Sequence, residues 1–181
     1  MRETHFCRIP DWRGIVRRLL IALGSCIIAA NVPAAGANAQ SAAVVAPDRI
    51  AVSVRHQIEP LLDEMMLAAN AHDTDRYMKA FATGPALVFV FNGSIIRGWP
   101  DLESQQMKWW NNGKSDVVYT MNGTPDIAVL GPSAAVVTMG LESRRTLANG
   151  QPATGTAVVT MVWQKLPAGW RVVQAHESTI H

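Results

Sequence analysis

The last third of the chain constrains the fold most. After Ser115, β-forming stretches alternate with turn signals. Gly131-Pro132, Asn149-Gly150 and Pro167-Ala168-Gly169 separate strands expected near residues 116–130, 134–147, 154–166 and 169–179. Strands joined by turns this short run antiparallel. Two of them are apolar on both faces. Val158 and Val162 point one way while Val159, Met161 and Trp163 point the other, and Val136 opposes Val137, Met139 and Leu141 in the same manner. A sheet with one wet face would alternate cleanly. One face therefore expects helices. The other expects a second copy of the chain, with a strongly curled sheet as the alternative.

The helices precede this meander. Asp48 is placed to cap a helix that carries Ile50, Val54, Ile58, Leu61, Leu62, Met65, Met66 and Ala69 at helical spacing, and Pro60 predicts a kink or restart within it. Residues 40–47 read as a linker. Ala71-His72-Asp73 breaks the run, and Asp73 or Thr74 caps a short second helix through Phe81. Leu87 to Phe91, Asn92-Gly93 and Ser94 to Arg97 spell a β-hairpin. Trp99-Pro100 opens a third helix that stops at Gly113. The fold class is α+β, in one domain over residues 48–181.

The first 39 residues differ in kind. Five arginines face one Glu and one Asp, a twelve-residue apolar run follows from Leu19 to Ala30, and Ala37-Asn38-Ala39 supplies a small-residue cleavage site. This is the pattern of a signal peptide, too short to stay in a membrane as a span. The expectation is an exported chain, periplasmic or secreted. Competing details are lipidation at Cys26, from the Leu23-Gly24-Ser25-Cys26 run, and twin-arginine rather than general export, from Arg17-Arg18. Removing five of the 16 basic and two of the 14 acidic residues leaves 11 and 12, a formal charge of −1. Such a chain has no basic stripe for phosphates, which argues against nucleic acid as a partner. Both cysteines, Cys7 and Cys26, leave with the leader, so packing and not disulfides must hold the domain.

The order of helix, short helix, hairpin, helix and four-stranded meander resembles the nuclear transport factor 2-like superfamily, and specifically its SnoaL-like members, over about residues 50–179. Phe89-Val90-Phe91-Asn92-Gly93, Gly98-Trp99, and Gly169-Trp170-Arg171-Val172-Val173 with His176 and Ser178 carry the resemblance. It implies a cone-like curved sheet wrapped around the long amino-terminal helix plus two shorter helices, with a pocket between them. Enzymes and pure binding or assembly modules share that scaffold, so the resemblance implies a cavity and not a reaction.

Period-two alternation on the last strand places Trp170, Val172, Gln174, His176 and Ser178 on one face and Arg171, Val173, Ala175 and Glu177 on the other. The resemblance implies that the first set faces the pocket, with Gln174 standing where similar proteins have a histidine. His176 is then the candidate acid–base catalyst, and Gln174 and Ser178 are polar ligand anchors; a purely structural histidine is the competing reading. Glu142 and Arg144 share a strand face and are candidates for the pocket mouth, against a plain solvated strand end. Of the five tryptophans Trp99, Trp109, Trp110, Trp163 and Trp170 most are expected in the core, and one or two, with Met65, Met107 or Met161, to line an apolar cavity; Trp99, Trp110 and Trp163, with Tyr77, are the site candidates, and Asn92 is the one polar side chain of its hairpin stretch. That stretch lacks the Asp or Glu that ketosteroid isomerase-like and polyketide cyclase-like chemistry requires. No metal-ligand spacing, P-loop or dinucleotide motif is present, so no metal or cofactor is expected. The expected ligand is a small apolar or aromatic molecule. Three functions remain open: a ligand-binding domain, an isomerase, cyclase, dehydratase or hydrolase using His176, and a dimeric interaction module.

Overall fold

A computed structural model describes residues 39–180, with side chains from Arg49 onward. The expected signal peptide lies outside the described residues apart from Ala39. The elements are α1 (Ala39–Asn70), α2 (Thr74–Met78), β1 (Val88–Phe91), β2 (Ser94–Arg97), α3 (Trp99–Trp109), β3 (Val118–Gly131), β4 (Ala134–Thr146), β5 (Pro152–Leu166) and β6 (Gly169–Ile180). The order matches the sequence reading, with two differences in α1. Residues 40–47, expected as a linker, and Asp48, expected as a cap, fall inside the helix, which also runs unbroken through Pro60. In α2 the expected cap is present: the Asp73 carboxylate accepts from the Arg76 backbone N–H at 3.0 Å.

The six strands form one sheet in the order β2-β1-β6-β5-β4-β3. All neighbours are antiparallel except β1 and β6, which pair in parallel with Phe89 beside Ala175 and Phe91 beside Glu177. Two irregularities bend the sheet. In β3 the register with β4 shifts between Asn122 and Asp126, where Gly123 takes a positive φ of 82°. In β6, Gln174 faces Val162 and Val172 faces Trp163, which leaves Val173 as an extra residue. A bulge of this kind bends the strand and inverts the alternation beyond it. Its position has a local cause. Val172 still bonds the segment before β1, its N–H donating to the Ala80 carbonyl at 2.8 Å and its carbonyl accepting from Ala82 at 2.9 Å. From Gln174 on, β6 pairs with β1 instead.

The concave face of the sheet closes over α1. Val54, Ile58, Leu62 and Met65 form the buried stripe of the helix, and they meet Phe81, Val137, Met161, Trp163 and Val172 in one core. Each such side chain contributes about 1.5–3 kcal/mol by leaving water. Ile50, expected on that stripe, is exposed. A polar clasp fixes α1 against the β5–β6 hairpin: the Gln57 side-chain oxygen accepts from Trp170 Nε1 at 3.2 Å and Lys165 Nζ at 2.9 Å. Gln57→Leu strands the Trp170 indole N–H and is expected to cost about 1–3 kcal/mol in chemical denaturation. An unchanged midpoint would show that the clasp contributes nothing.

Candidate functional site

Between α1, α2, α3 and the concave sheet face lies a cavity of about 210 Å³. Its deep wall is apolar and aromatic: Phe81, Phe89, Phe91, Trp109, Met139 and Met161. The Phe91 and Trp109 rings meet at 4.8 Å between centroids, and Tyr77 packs edge-on to Trp110 at 5.1 Å. Large side chains at alternate positions of β1, β4 and β5 build the wall, as the strand period requires.

Four polar groups interrupt it. Glu177 projects from β6 into the cavity with Val159 and Phe91 as its cross-strand neighbours. Its carboxyl group makes no hydrogen bond among the described residues, and burial alone pushes its pKa up to about 7. Tyr77 also makes no hydrogen bond through its hydroxyl among the described residues. Burial pushes this phenol well above its ordinary range, and the nearby Glu177 carboxylate raises it further. Tyr119 is raised chiefly by burial, partly offset by the Trp110 indole, whose Nε1–H donates to the Tyr119 oxygen at 3.2 Å. That contact leaves the Tyr119 proton free to be donated into the cavity. Gln106 of α3 is only 6% exposed, lines the cavity, and its side-chain amide makes no hydrogen bond among the described residues. Arg145 stands at the rim.

The structure rearranges most of the expected site. Gln174, His176 and Ser178 are exposed on the convex face of the sheet and away from the cavity. Trp170 and Val172 face inward as expected, but the Val173 bulge inverts the phase, so Ala175 and Glu177 face inward after it. Glu142 and Arg144 likewise lie on the convex side, whereas Arg145 reaches the rim. Trp163 is fully buried in the core, apart from the cavity, with its indole nitrogen unpartnered among the described residues. Trp99 borders a separate shallow hollow by Pro85 and donates its indole N–H to the Met78 carbonyl at 3.2 Å. Asn92 is a turn residue with φ of 45° whose amide clasps Thr179, accepting from its N–H at 2.9 Å. Of the expected residues, Tyr77 and Trp110 line the cavity, together with Trp109, Met65 and Met161. Glu177 and Gln106 were missed. The signal for Glu177 was present in the break of apolar spacing, two residues from Trp170 to Val172 and then three to Ala175.

Among the described residues no group of three or more His, Cys, Asp and Glu side chains is placed to hold a metal ion, and no helix is long and apolar enough to cross a membrane.

A curved sheet closed over a long helix around an apolar cavity is the cone of the nuclear transport factor 2-like superfamily, and solved structures share it. One is a nuclear transport factor 2-like protein of unknown function from Shewanella oneidensis, with TM-score 0.56 and 26% identity, covering 68% of this chain and 97% of that one. A superfamily protein from Salmonella enterica serovar Typhimurium gives TM-score 0.63 and 24% identity, covering 72% and 94%. A ketosteroid isomerase-like protein from Erwinia carotovora gives 0.57 and 17%, covering 70% and 95%. Residues 58–181 match the SnoaL-like domain, and the chain belongs to that family. Comparison with curated proteins finds no match.

Proposed function

We propose that this domain binds a small, largely apolar molecule in its cone and transfers a proton on it, with Glu177 as the base. The observation that carries this reading is the Glu177 carboxyl group itself, set among aromatic rings without a hydrogen-bond partner among the described residues and titrating near neutral pH. Burying such a group is costly, and carboxyls kept under these conditions are characteristic of proton-transfer sites. The unpartnered hydroxyl of Tyr77, the donor proton of Tyr119 and the amide of Gln106 supply what the other half of the reaction needs. In an enolisation, the Glu177 carboxylate takes a proton from carbon beside a carbonyl group, the C–H electron pair becomes the carbon–carbon π bond, and the carbonyl π pair moves to oxygen. The phenols and the amide then donate hydrogen bonds to that developing oxyanion, and protonated Glu177 returns the proton to carbon. In this reading His176 is displaced as the acid–base candidate.

The test needs no knowledge of the natural substrate. Exchange of the α-protons of 2-tetralone in heavy water, followed by NMR, should be accelerated over buffer, with a rate that rises through about pH 7 as Glu177 ionises and then levels. Glu177→Gln should lower the acceleration by about 100-fold or more. Absence of acceleration by the natural protein, or its survival in Glu177→Gln, would overturn the reading.

Export follows, in this proposal, from the leader-like first 39 residues. Pairing of two copies through the convex face follows from its exposed apolar positions, among them Val158 at 51% and Leu130 at 66% exposure. Gln174, His176 and Ser178 then belong to the dimer contact, and light scattering on the purified protein would show a dimer.

A further inference from the structure

A second cavity of about 360 Å³ continues from the first toward the open end of the cone. The two share five lining residues, Val117, Tyr119, Leu141, Arg145 and Glu177, so they meet at a common waist. Their walls differ in character. The inner chamber is walled by large rings, whereas the outer one lies over small side chains: Ser143 of β4, Ala153, Gly155 and Ala157 of β5, and Thr179 of β6. Alternation places all five on the concave face, where a bed of such residues leaves room for an extended group.

The charge at the waist is asymmetric. Arg145 lines both chambers and makes no ion pair or hydrogen bond among the described residues. The nearby Asp116 carboxylate, whose pKa is lowered chiefly by the Thr146 backbone N–H and in small part by Arg145, accepts from that N–H at 2.7 Å and makes no hydrogen bond to the guanidinium among the described residues. Both Glu177 and Arg145 act on the Tyr119 phenol, which places this hydroxyl within reach of both charges. In the inner chamber, away from the shared waist residues, the Gln106 amide is nine-tenths buried, without a partner among the described residues, and lines the cavity. The site therefore offers a neutral amide in its inner chamber and, at the waist, a carboxyl group and a guanidinium that no hydrogen bond holds among the described residues. A guanidinium matches a carboxylate in a two-pronged geometry.

We propose that the two chambers form one elongated site and that its ligand is an amphipathic monocarboxylic acid, with the apolar or aromatic body in the inner chamber and the carboxylate on Arg145. The inference deepens the proton-transfer reading and rests on the same cone, but it concerns recognition and can fail separately.

Isothermal titration of the purified protein at about pH 6, below the Glu177 pKa of about 7, separates the possibilities. The probes are 4-phenylbutyrate, the neutral isostere 4-phenylbutanol and the cation 4-phenylbutylamine. The acid should bind at least about tenfold tighter than the alcohol. Arg145→Gln should collapse that preference to within about twofold, and Arg145→Lys should restore part of it. Equal binding of acid and alcohol would overturn the inference while leaving an apolar pocket in place. So would a preference that survives Arg145→Gln. Tightest binding of the amine would make Glu177 the counter-ion and likewise overturn it. Failure of all three probes would remove both the inference and the small-molecule reading on which it rests. Exchange of 2-tetralone, which carries no charge, reports on the proton-transfer reading alone.

Discussion

Glu177→Gln is expected to stabilise the protein at about pH 8 by about 3 kcal/mol while leaving it unchanged near pH 4. The direction follows from proton linkage. A carboxyl group whose pKa is about 7 in the folded chain, against an ordinary 4.5, holds its proton more tightly when folded than when unfolded. Folding then takes up a proton between these values, so stability is highest at the acid side. It falls as pH rises from about 4.5 to about 7 and levels above that. Each tenfold difference in proton affinity between the folded and unfolded chain corresponds to about 1.4 kcal/mol. Glutamine keeps the shape and cannot ionise, so the variant escapes the loss. Glu64, lowered by its hydrogen bonds to Arg76, and Asp116, lowered by the Thr146 amide, titrate in both proteins and cancel in the difference. Denaturant titrations of both proteins across this range read the effect. A difference that does not change with pH would show that Glu177 is not held in a desolvated site.

Deleting Val173 is expected to destabilise the protein without changing which side chains of β6 face the cavity. Trp163 pairs with Val172 and Val162 with Gln174, so the shortened strand pairs regularly with β5, and Ala175 and Glu177 still turn inward. What is lost is the bend that the extra residue gives. That bend lets Val172 exchange hydrogen bonds with Ala80 and Ala82 while Gln174 pairs beside Val88. A strand one residue shorter cannot meet both, and losing the two Val172 bonds costs about 1–3 kcal/mol each. Against a total stability of about 5–15 kcal/mol this is a large fall. Val173→Ala keeps the residue count and should melt within a few degrees of the natural protein. If the deletion variant melts as that control does, the bend contributes nothing to stability.

The bulge also explains which parts of the protein could be read from the sequence. Strand positions in the meander, the Asn92-Gly93 hairpin, the three helices and the opposed faces of β4 and β5 follow from turn residues and local periodicity, and the structure reproduces them. The cone's inner wall was legible as far as Trp170 and Val172. The break came where tertiary pairing overrode alternation: β6 changes neighbours at Val173, a fact carried by residues 80–90 and marked within the strand only by the change of apolar spacing between Val172 and Ala175. A one-residue error in phase then exchanged Glu177 for His176 as the group in the cavity. Arg145 was displaced for a different reason. Glu142 and Arg144 were correctly read as sharing a face, and the sequence offered no way to say which face of β4 was concave at its far end. Gln106 lies on α3, and its burial depends on that helix lying across the cone, which local spacing does not state.

The parallel pairing of β1 with β6 has a consequence for how the molecule comes into being. Phe89 and Phe91 sit beside Ala175 and Glu177, partners separated by most of the domain's length. Contacts of such large sequence separation form late, because the intervening loop must be closed before they offer any gain. A chain emerging amino terminus first can assemble its helices and the β1–β2 hairpin early, with Phe89 and Phe91 against Trp109, yet β1 has no second strand to pair with until the final dozen residues arrive. The ligand chamber is thus the last part of the protein to exist during synthesis, and a chain stopped short at Leu166 would carry nearly the whole domain and none of the wall that bears Glu177.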